Sequence, residues 1–382
     1  MNPSYGGPCQ GIRNSIPALK KLGIKNEVLC FDKSSIDYGL TDDFVIHKIG
    51  ASVSPYAYNS KLSEWLLSNL ARFDIVLIHG LWLHTSYGTF RTWNMFKKRN
   101  SVYPELYVMP HGMLDPYFQK APDRKFKSFR NSVFWHLFEK KVVNGVDGVL
   151  FTCQREKELA CKSFKDYHPK NEINVGYGIQ QPPPYINEMK NEFLEISGLK
   201  ENTPYFIFLS RIHEKKGIDL LLDSYTSIVK ENKFETIPKL VIAGPLSSKY
   251  AQSMKDSVSD RDDIIFTGML QGNAKWGALY LSEAFVLPSH QENFGIAVVE
   301  ALACSAPVLI SDKINIWKEI VEGEGGIVKS DTKIGVKNLL EQWLQLNNSS
   351  KINYRSTAEN TYMKYFTIEK AALQFIKQLG IQ

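Results

Sequence analysis

YFIFLSRIHEKKGIDLLLDSYTSIVKEN, residues 205–232, decides how this chain is read. It opens on YFIFL, a continuous apolar run rich in aromatic and branched residues, which suits a strand buried on both faces. A charged loop follows, then an amphipathic helical stretch. Working outward, the theme recurs at KLVIAG (239–244), DIIFTG (263–268), AFVLPS (284–289), PVLIS (307–311) and GGIV (325–328), with helix-like segments such as GIAVVEALACS between most of them. Apolar strands alternating with helices predict a parallel sheet covered on both faces. Ligands of such sheets bind in the crevice beyond the carboxyl ends of the strands.

Toward the amino terminus the pattern is less clean. Strand candidates are EVLCF (27–31), FVIHKI (44–49), DIVLIHG (74–80), ELYVMPHG (105–112) and GVLFTC (148–153). GYGIQQPPPY (176–185) joins glycines to three prolines and reads as an inter-domain connection, since prolines stiffen linkers and stop helices. The expected architecture is α/β, with two doubly wound domains over residues 1–180 and 181–361. PSYGGPCQGIRNSIPALKKLG (3–23) looks like a strand-to-helix glycine loop and its helix, yet no strand precedes it. The reading expects either an earlier start to the chain or a domain without its usual first strand.

Composition bounds the class. The 382 residues are 43% hydrophobic, 23% charged and 12% aromatic, which excludes a disordered chain, a coiled coil and a collagen-like repeat. No apolar run approaches the ~18 residues of a spanning helix, and MNPSYGGPCQG lacks the basic start and apolar core of a secretory signal. Five widely spaced cysteines without a C-x-x-C pair argue against structural zinc or a disulfide framework, and predict a cytoplasmic setting. The net charge of +6 is uneven: residues 1–180 hold 24 Lys/Arg against 16 Asp/Glu, the remainder 22 against 24. An excess of this kind points to an anionic membrane or a phosphorylated substrate, or to ordinary surface variation.

Two segments carry candidate chemistry. In SRIHEKKG (210–217), Arg211 and Lys216 lie between a strand end and a helix start. Two cations beside unpaired helix N–H groups make a diphosphate cradle; a solvated charge run is the bland alternative. In HQENFGIAVVE (290–300), Glu292 falls in the loop after a strand and Glu300 within the following helix, expected to start near Phe294 with Asn293 as its cap. At ~1.5 Å rise per residue the carboxylates are ~10 Å apart, too far for an acid/base dyad on one bond. They suit two acceptors on separate hydroxyl-bearing parts of an extended ligand, or two surface glutamates.

Together these segments resemble the family 4 glycosyltransferases, which have the GT-B fold: two Rossmann-like domains facing an interdomain cleft. PSHQENFGIAVVEALACSAPVLISD is similar to the family's donor signature of two glutamates with seven residues between. SRIHEKKG, IAGP, FTGML, the opening YGGP and the HG of MPHGMLDP match in order along almost the whole chain. The resemblance implies a retaining, metal-independent hexosyltransferase. Its donor is a nucleotide sugar, a UDP-sugar by the family's general habits, and its acceptor a glycan or lipid-linked saccharide of polysaccharide assembly. It further implies that a C-terminal helix near 362–382 completes the first domain. Arg211 and Lys216 would neutralise the diphosphate, Glu300 would accept from the ribose, and Glu292 would hold sugar hydroxyls, helped by the backbone of Asn293, Phe294 and Gly295. His111 would sit near the sugar at the cleft. Gly6 and Gly7 would let the first loop approach the ligand, and Gly244 ends the strand of the IAGP match. Ser305 replaces the family's usual glycine in A-x-G-x-P. A GT-B epimerase, a phosphorylase and a non-catalytic nucleotide-sugar-binding subunit are the alternatives.

Other features read less sharply. Asp260-Arg261-Asp262 matches a D-x-D metal motif but reads as a solvated turn. His79 and His84 read as structural histidines, and Cys153 and Cys161 as buried structural cysteines. Lys120 to Lys141, KAPDRKFKSFRNSVFWHLFEKK, interleaves seven Lys/Arg with five aromatics. It suits either an anionic membrane interface at the inner face of the plasma membrane or a helix burying its aromatics. No nucleic-acid reading motif is present.

Overall fold

Loops leaving the carboxyl ends of two neighbouring strands in the second half of the chain position the candidate chemistry. The structure is a computed structural model. It describes residues 1–2, 7–36, 38–39, 41–120 and 125–381, residues 120 and 125–127 by backbone. Two compact units divide the chain: Met1–Gly178 with Ile368–Gln382, and Ile179–Thr367. In chain order the strands of the first unit are β1 (Glu27–Cys30), β2 (Val45–Lys48), β3 (Ile75–His79), β4 (Glu105–Met109), β5 (Gly148–Phe151) and β6 (Glu172–Asn174). Those of the second are β7 (Tyr205–Leu209), β8 (Lys239–Ala243), β9 (Ile264–Gly268), β10 (Ala284–Leu287), β11 (Val308–Ser311) and β12 (Gly326–Lys329).

The second unit holds one six-stranded parallel sheet in the order β12-β11-β10-β7-β8-β9. Phe206, Ile207, Phe208, Leu240, Val241, Ile242, Phe285, Val286 and Leu309 have no exposed surface. Continuous apolar strands lose their whole side-chain area to helices on either face, worth roughly 1.5–3 kcal/mol for each large side chain. From β7 the chain progresses one way through β8 and β9, then returns to lay β10, β11 and β12 on the other side. The strand order therefore reverses between β7 and β10, which pair Ala284 with Phe206 and Phe285 with Ile207. That is the topological switch point, where open α/β sheets bind ligands. Tyr362 and Phe366 stay with this unit: the Tyr362 hydroxyl donates to Ile179 O, and Ile179 N–H to Phe366 O.

The first unit is built from the same elements but is divided. β3-β4-β5-β6 form one parallel sheet and β1-β2 another. In a doubly wound sheet the strand before the first helix lies centrally. Among the described residues no strand precedes helix Gly7–Lys21 and no backbone pairing joins the two sheets. The Met1 ammonium instead pairs with Asp32, just past β1, and Arg13 bridges Met1 O and Asp42. Helix Ile368–Leu379 packs on the first helix through Ala18, Leu19, Ile368 and Ala372.

Within Lys120 to Lys141 the chain forms helices Tyr117–Lys120 and Lys125–Phe134, a π-helical turn Trp135–Glu139 and helix Lys140–Gly145. Trp135 is fully buried, stacked on Phe164 at 4.3 Å. Phe129 is 71% exposed. The segment thus both buries aromatics and exposes them. No helix of the described residues is long and apolar enough to cross a membrane.

Candidate functional site

The loop after β7 turns into a single 3-10 turn, Glu214–Lys216, before helix Ile218–Glu231. Gly217 joins them at φ +65°, and a Cβ there would stand 2.2 Å from Pro288 O. Only glycine lets this turn press so closely against the loop after β10. Gly244, at the end of β8, is constrained from the other side, where a Cβ would meet Ser210 O at 2.1 Å. The sequence-predicted Gly244 is therefore a packing position for the cation-bearing loop.

These contacts bring the two predicted constellations together. His290 N–H donates to Lys215 O at 2.9 Å, and Lys215 Nζ to Gln291 Oε1 at 2.6 Å. Lys216 Nζ contacts the Glu292 carboxylate. Lys216 is only 7% exposed. Burial, with Lys215 and Arg211 nearby, draws its ammonium pKa down to about 7; the Glu292 carboxylate in contact with it opposes that fall. Arg211 is exposed at the head of the loop.

Glu292 is held by its backbone. Its N–H donates to Lys313 O and its carbonyl accepts from Asn315 N–H, both at 3.0 Å. This extended pairing corrects the expected helix start: the helix spans Ile296–Ala303, with Gly295 at φ +73° as its cap. Asn293 does not cap it; its side-chain oxygen accepts from Asn315 Nδ2 at 3.2 Å. Phe294 turns inward, 5% exposed, edge-on to Phe366. Glu300 lies in that helix and pairs at 2.7 Å with Lys275, a residue the sequence reading passed over.

The first unit carries the remaining predicted residues. His111 follows β4 at φ +52°. Its Nε2 lies 2.9 Å from His79 Nδ1, with the rings stacked. Burial pushes His79 down to about 4 and His111 well below its usual range, with His79 adding to the second effect, so both imidazoles are neutral at pH 7. Gly112 N–H donates to Glu156 Oε1, while Glu156 Oε2 accepts from Thr152 N–H at 2.8 Å and Thr152 Oγ1 at 2.6 Å. A buried carboxylate thus clamps the turn carrying His111. Read as merely structural from the sequence, His79 is the partner of a predicted site residue, and Glu156 had no spacing signal at all. Gly7 is the exposed first residue of helix Gly7–Lys21. Gly6 lies outside the described residues.

Asp260 and Asp262 do not converge with other ligands: Arg261 pairs with Asp263, and no group of three or more His, Cys, Asp or Glu suited to a metal occurs among the described residues.

Residues 189–361 match the family model described as glycosyl transferases group 1. An uncharacterised glycosyltransferase of Methanocaldococcus jannaschii is 26% identical over 235 residues, covering 58% of this chain and 59% of that protein. The alpha-monoglucosyldiacylglycerol synthase of Streptococcus pneumoniae is 30% identical over 192 residues, covering 45% and 41%. The chain spans about half the length of the curated relatives it matches. Among solved structures, a Rickettsia africae glycosyltransferase superposes with a TM-score of 0.70 at 14% identity, over 99% of this chain and 97% of that one. The sucrose-phosphate synthase of Thermosynechococcus elongatus gives 0.69 at 16%, over 95% and 90%. The fold is that of GT-B glycosyltransferases, with two Rossmann-like domains.

Proposed function

This chain carries a glycosyl transferases group 1 domain over residues 189–361, and from that premise we propose that it is a retaining glycosyltransferase moving a hexose from a nucleotide sugar, a UDP-sugar foremost, to a glycan or lipid-linked saccharide. The observation that carries this reading is the contact of Lys216 with Glu292 at the strand-order reversal. A phosphate-binding cation and a hydroxyl-binding carboxylate from two separate loops meet there.

The chemistry follows from the charges. As the bond from sugar C1 to the diphosphate oxygen lengthens, positive charge grows at C1 and negative charge on the leaving phosphate. Lys216 and Arg211 stabilise the latter, and preorganised charge contributes most where charge develops. Glu292 accepts hydrogen bonds from sugar hydroxyls, and Glu300 from the ribose. The acceptor hydroxyl attacks from the face the phosphate leaves, and that phosphate takes its proton. The two cations supply the charge that a divalent ion supplies in other sugar transferases. Incubation with UDP-sugars and candidate acceptors tests the reading. A glycosylated product with the donor's anomeric configuration, and free UDP formed in step, is expected. An isomerised UDP-sugar without acceptor glycosylation indicates an epimerase, and binding without turnover a non-catalytic subunit.

A specific surface supports an interfacial acceptor. Phe129, Val133 and Leu137 recur at four-residue spacing and are 71%, 40% and 52% exposed. Arg130 and Lys141 are exposed along the same stretch, while Asp166 lies against His136 and pairs with Lys140 at 2.8 Å. The Glu139 carboxylate is buried, accepting from Trp82 N–H and the Ser86 hydroxyl, so it adds no negative charge to this face. Apolar side chains framed by cations suit peripheral binding to an anionic bilayer.

A further inference from the structure

Lys275 belongs to helix Gly272–Tyr280, and Glu300 to the helix after the Glu292 loop. Lys275 Nζ donates to Glu300 Oε1 at 2.7 Å and lies 4.0 Å from the centre of the Trp276 ring. The ammonium is thus held by a carboxylate and by an aromatic face together. The side chains are 21% and 15% exposed, so the pair is shielded from much of the solvent that weakens surface ion pairs. A glutamate has three side-chain torsions and takes many orientations when unpaired. Here one carboxylate oxygen accepts from Lys275, which narrows those orientations and leaves the other oxygen for a ligand.

We propose that Lys275 is a positioning residue that aims the Glu300 carboxylate at the ribose hydroxyls of the donor, so that this helix pair selects ribonucleotides over deoxyribonucleotides. The inference rests on the donor reading above and names the pair that sets its sugar selectivity. A plain strut between two helices would move stability and affect every nucleotide alike; a positioning residue moves the ratio between nucleotides differing by one hydroxyl.

The test is calorimetric binding of UDP and 2′-deoxy-UDP to the full chain. Wild-type protein is expected to prefer UDP by at least ~10-fold, the size of a hydrogen bond to a charged group. Lys275→Met should bring the ratio close to one by weakening UDP alone, Glu300→Gln should do the same, and Lys275→Arg should restore it. A Lys275→Met protein that keeps the wild-type ratio overturns the proposal. So does one that loses both nucleotides equally with a lowered melting temperature. If wild type binds UDP tightly without discrimination, Glu300 does not read the ribose; this inference fails while the diphosphate site stands. Wild type that binds neither nucleotide removes the donor reading and this inference together.

Discussion

The two units are built from the same parallel strands and helices, yet they hold their candidate site residues differently. In the second, one unbroken sheet reverses its strand order between β7 and β10, and loops from those neighbouring strands carry Arg211, Lys216 and Glu292. In the first, the strands lie in two sheets, and the predicted group, His111, depends on side chains from elsewhere in the sequence: the half-buried His79 from β3 and the buried Glu156 from helix Gln154–Ala160. Ligand chemistry at strand ends is local in sequence; a histidine held by a buried polar network is not.

That contrast can be broken in several ways. The largest effect is expected in the second unit. Lys216→Ala should lower kcat/KM by ~10²–10³, the size of losing one preorganised charge stabiliser, with Arg211→Ala similar. Steady-state kinetics showing near-normal turnover in both would take these residues out of the mechanism. In the first unit the corresponding loss should be one of stability. Glu156→Ala leaves the N–H groups of Gly112 and Thr152 and the Thr152 hydroxyl without their acceptor, costing about 1–3 kcal/mol for each buried group left unpaired. Chemical denaturation should show that loss while UDP affinity is unchanged. Equal damage to UDP binding would erase the distinction between the units.

The protonation of Lys216 sharpens the comparison further. Its pKa near 7 in the free protein means the ammonium loses its proton as pH rises above that value. A bound diphosphate favours the charged form, so binding takes up a proton between the free and bound pKa values. UDP affinity should therefore fall as pH rises from 7 to 9, by up to about tenfold per unit, since one proton is linked. Lys216→Arg should flatten that slope, because guanidinium stays charged; an unchanged slope would assign the linked proton to another group. The smallest effect belongs to the first unit's exposed face. Arg130→Glu with Lys141→Glu should weaken sedimentation with anionic vesicles, each lost cation contributing ~1 kcal/mol, and raised salt should do likewise. Equal binding to neutral vesicles, or none to either, would argue for a soluble acceptor.

How much the sequence disclosed follows the same division. The strands of the second unit were legible because burial on both faces leaves uninterrupted apolar runs, and Lys216 and Glu292 because they sit at the ends of two of them. The helix start at Ile296 was not, since the chain first spends Glu292 on a backbone pairing with Lys313 and Asn315. β6, only Glu-Ile-Asn at a sheet edge, has too little apolar character to stand out. Lys275 and Glu156 were invisible because Glu300 and Gly112, the groups they position, lie 25 and 44 residues from them and no spacing rule links them. Lys120 to Lys141 was ambiguous because both readings are partly realised, with Trp135 buried and Phe129 exposed.

The central claim is that Arg211 and Lys216 hold the donor diphosphate during sugar transfer. Its most direct test is the rate of free UDP release from a UDP-sugar, with acceptor present and EDTA in excess, for the wild-type chain and for Lys216→Ala. Acceptor-dependent release that EDTA does not diminish and that the substitution all but abolishes is expected. Release that stops with EDTA and returns with magnesium or manganese, or that survives the loss of Lys216, would contradict it.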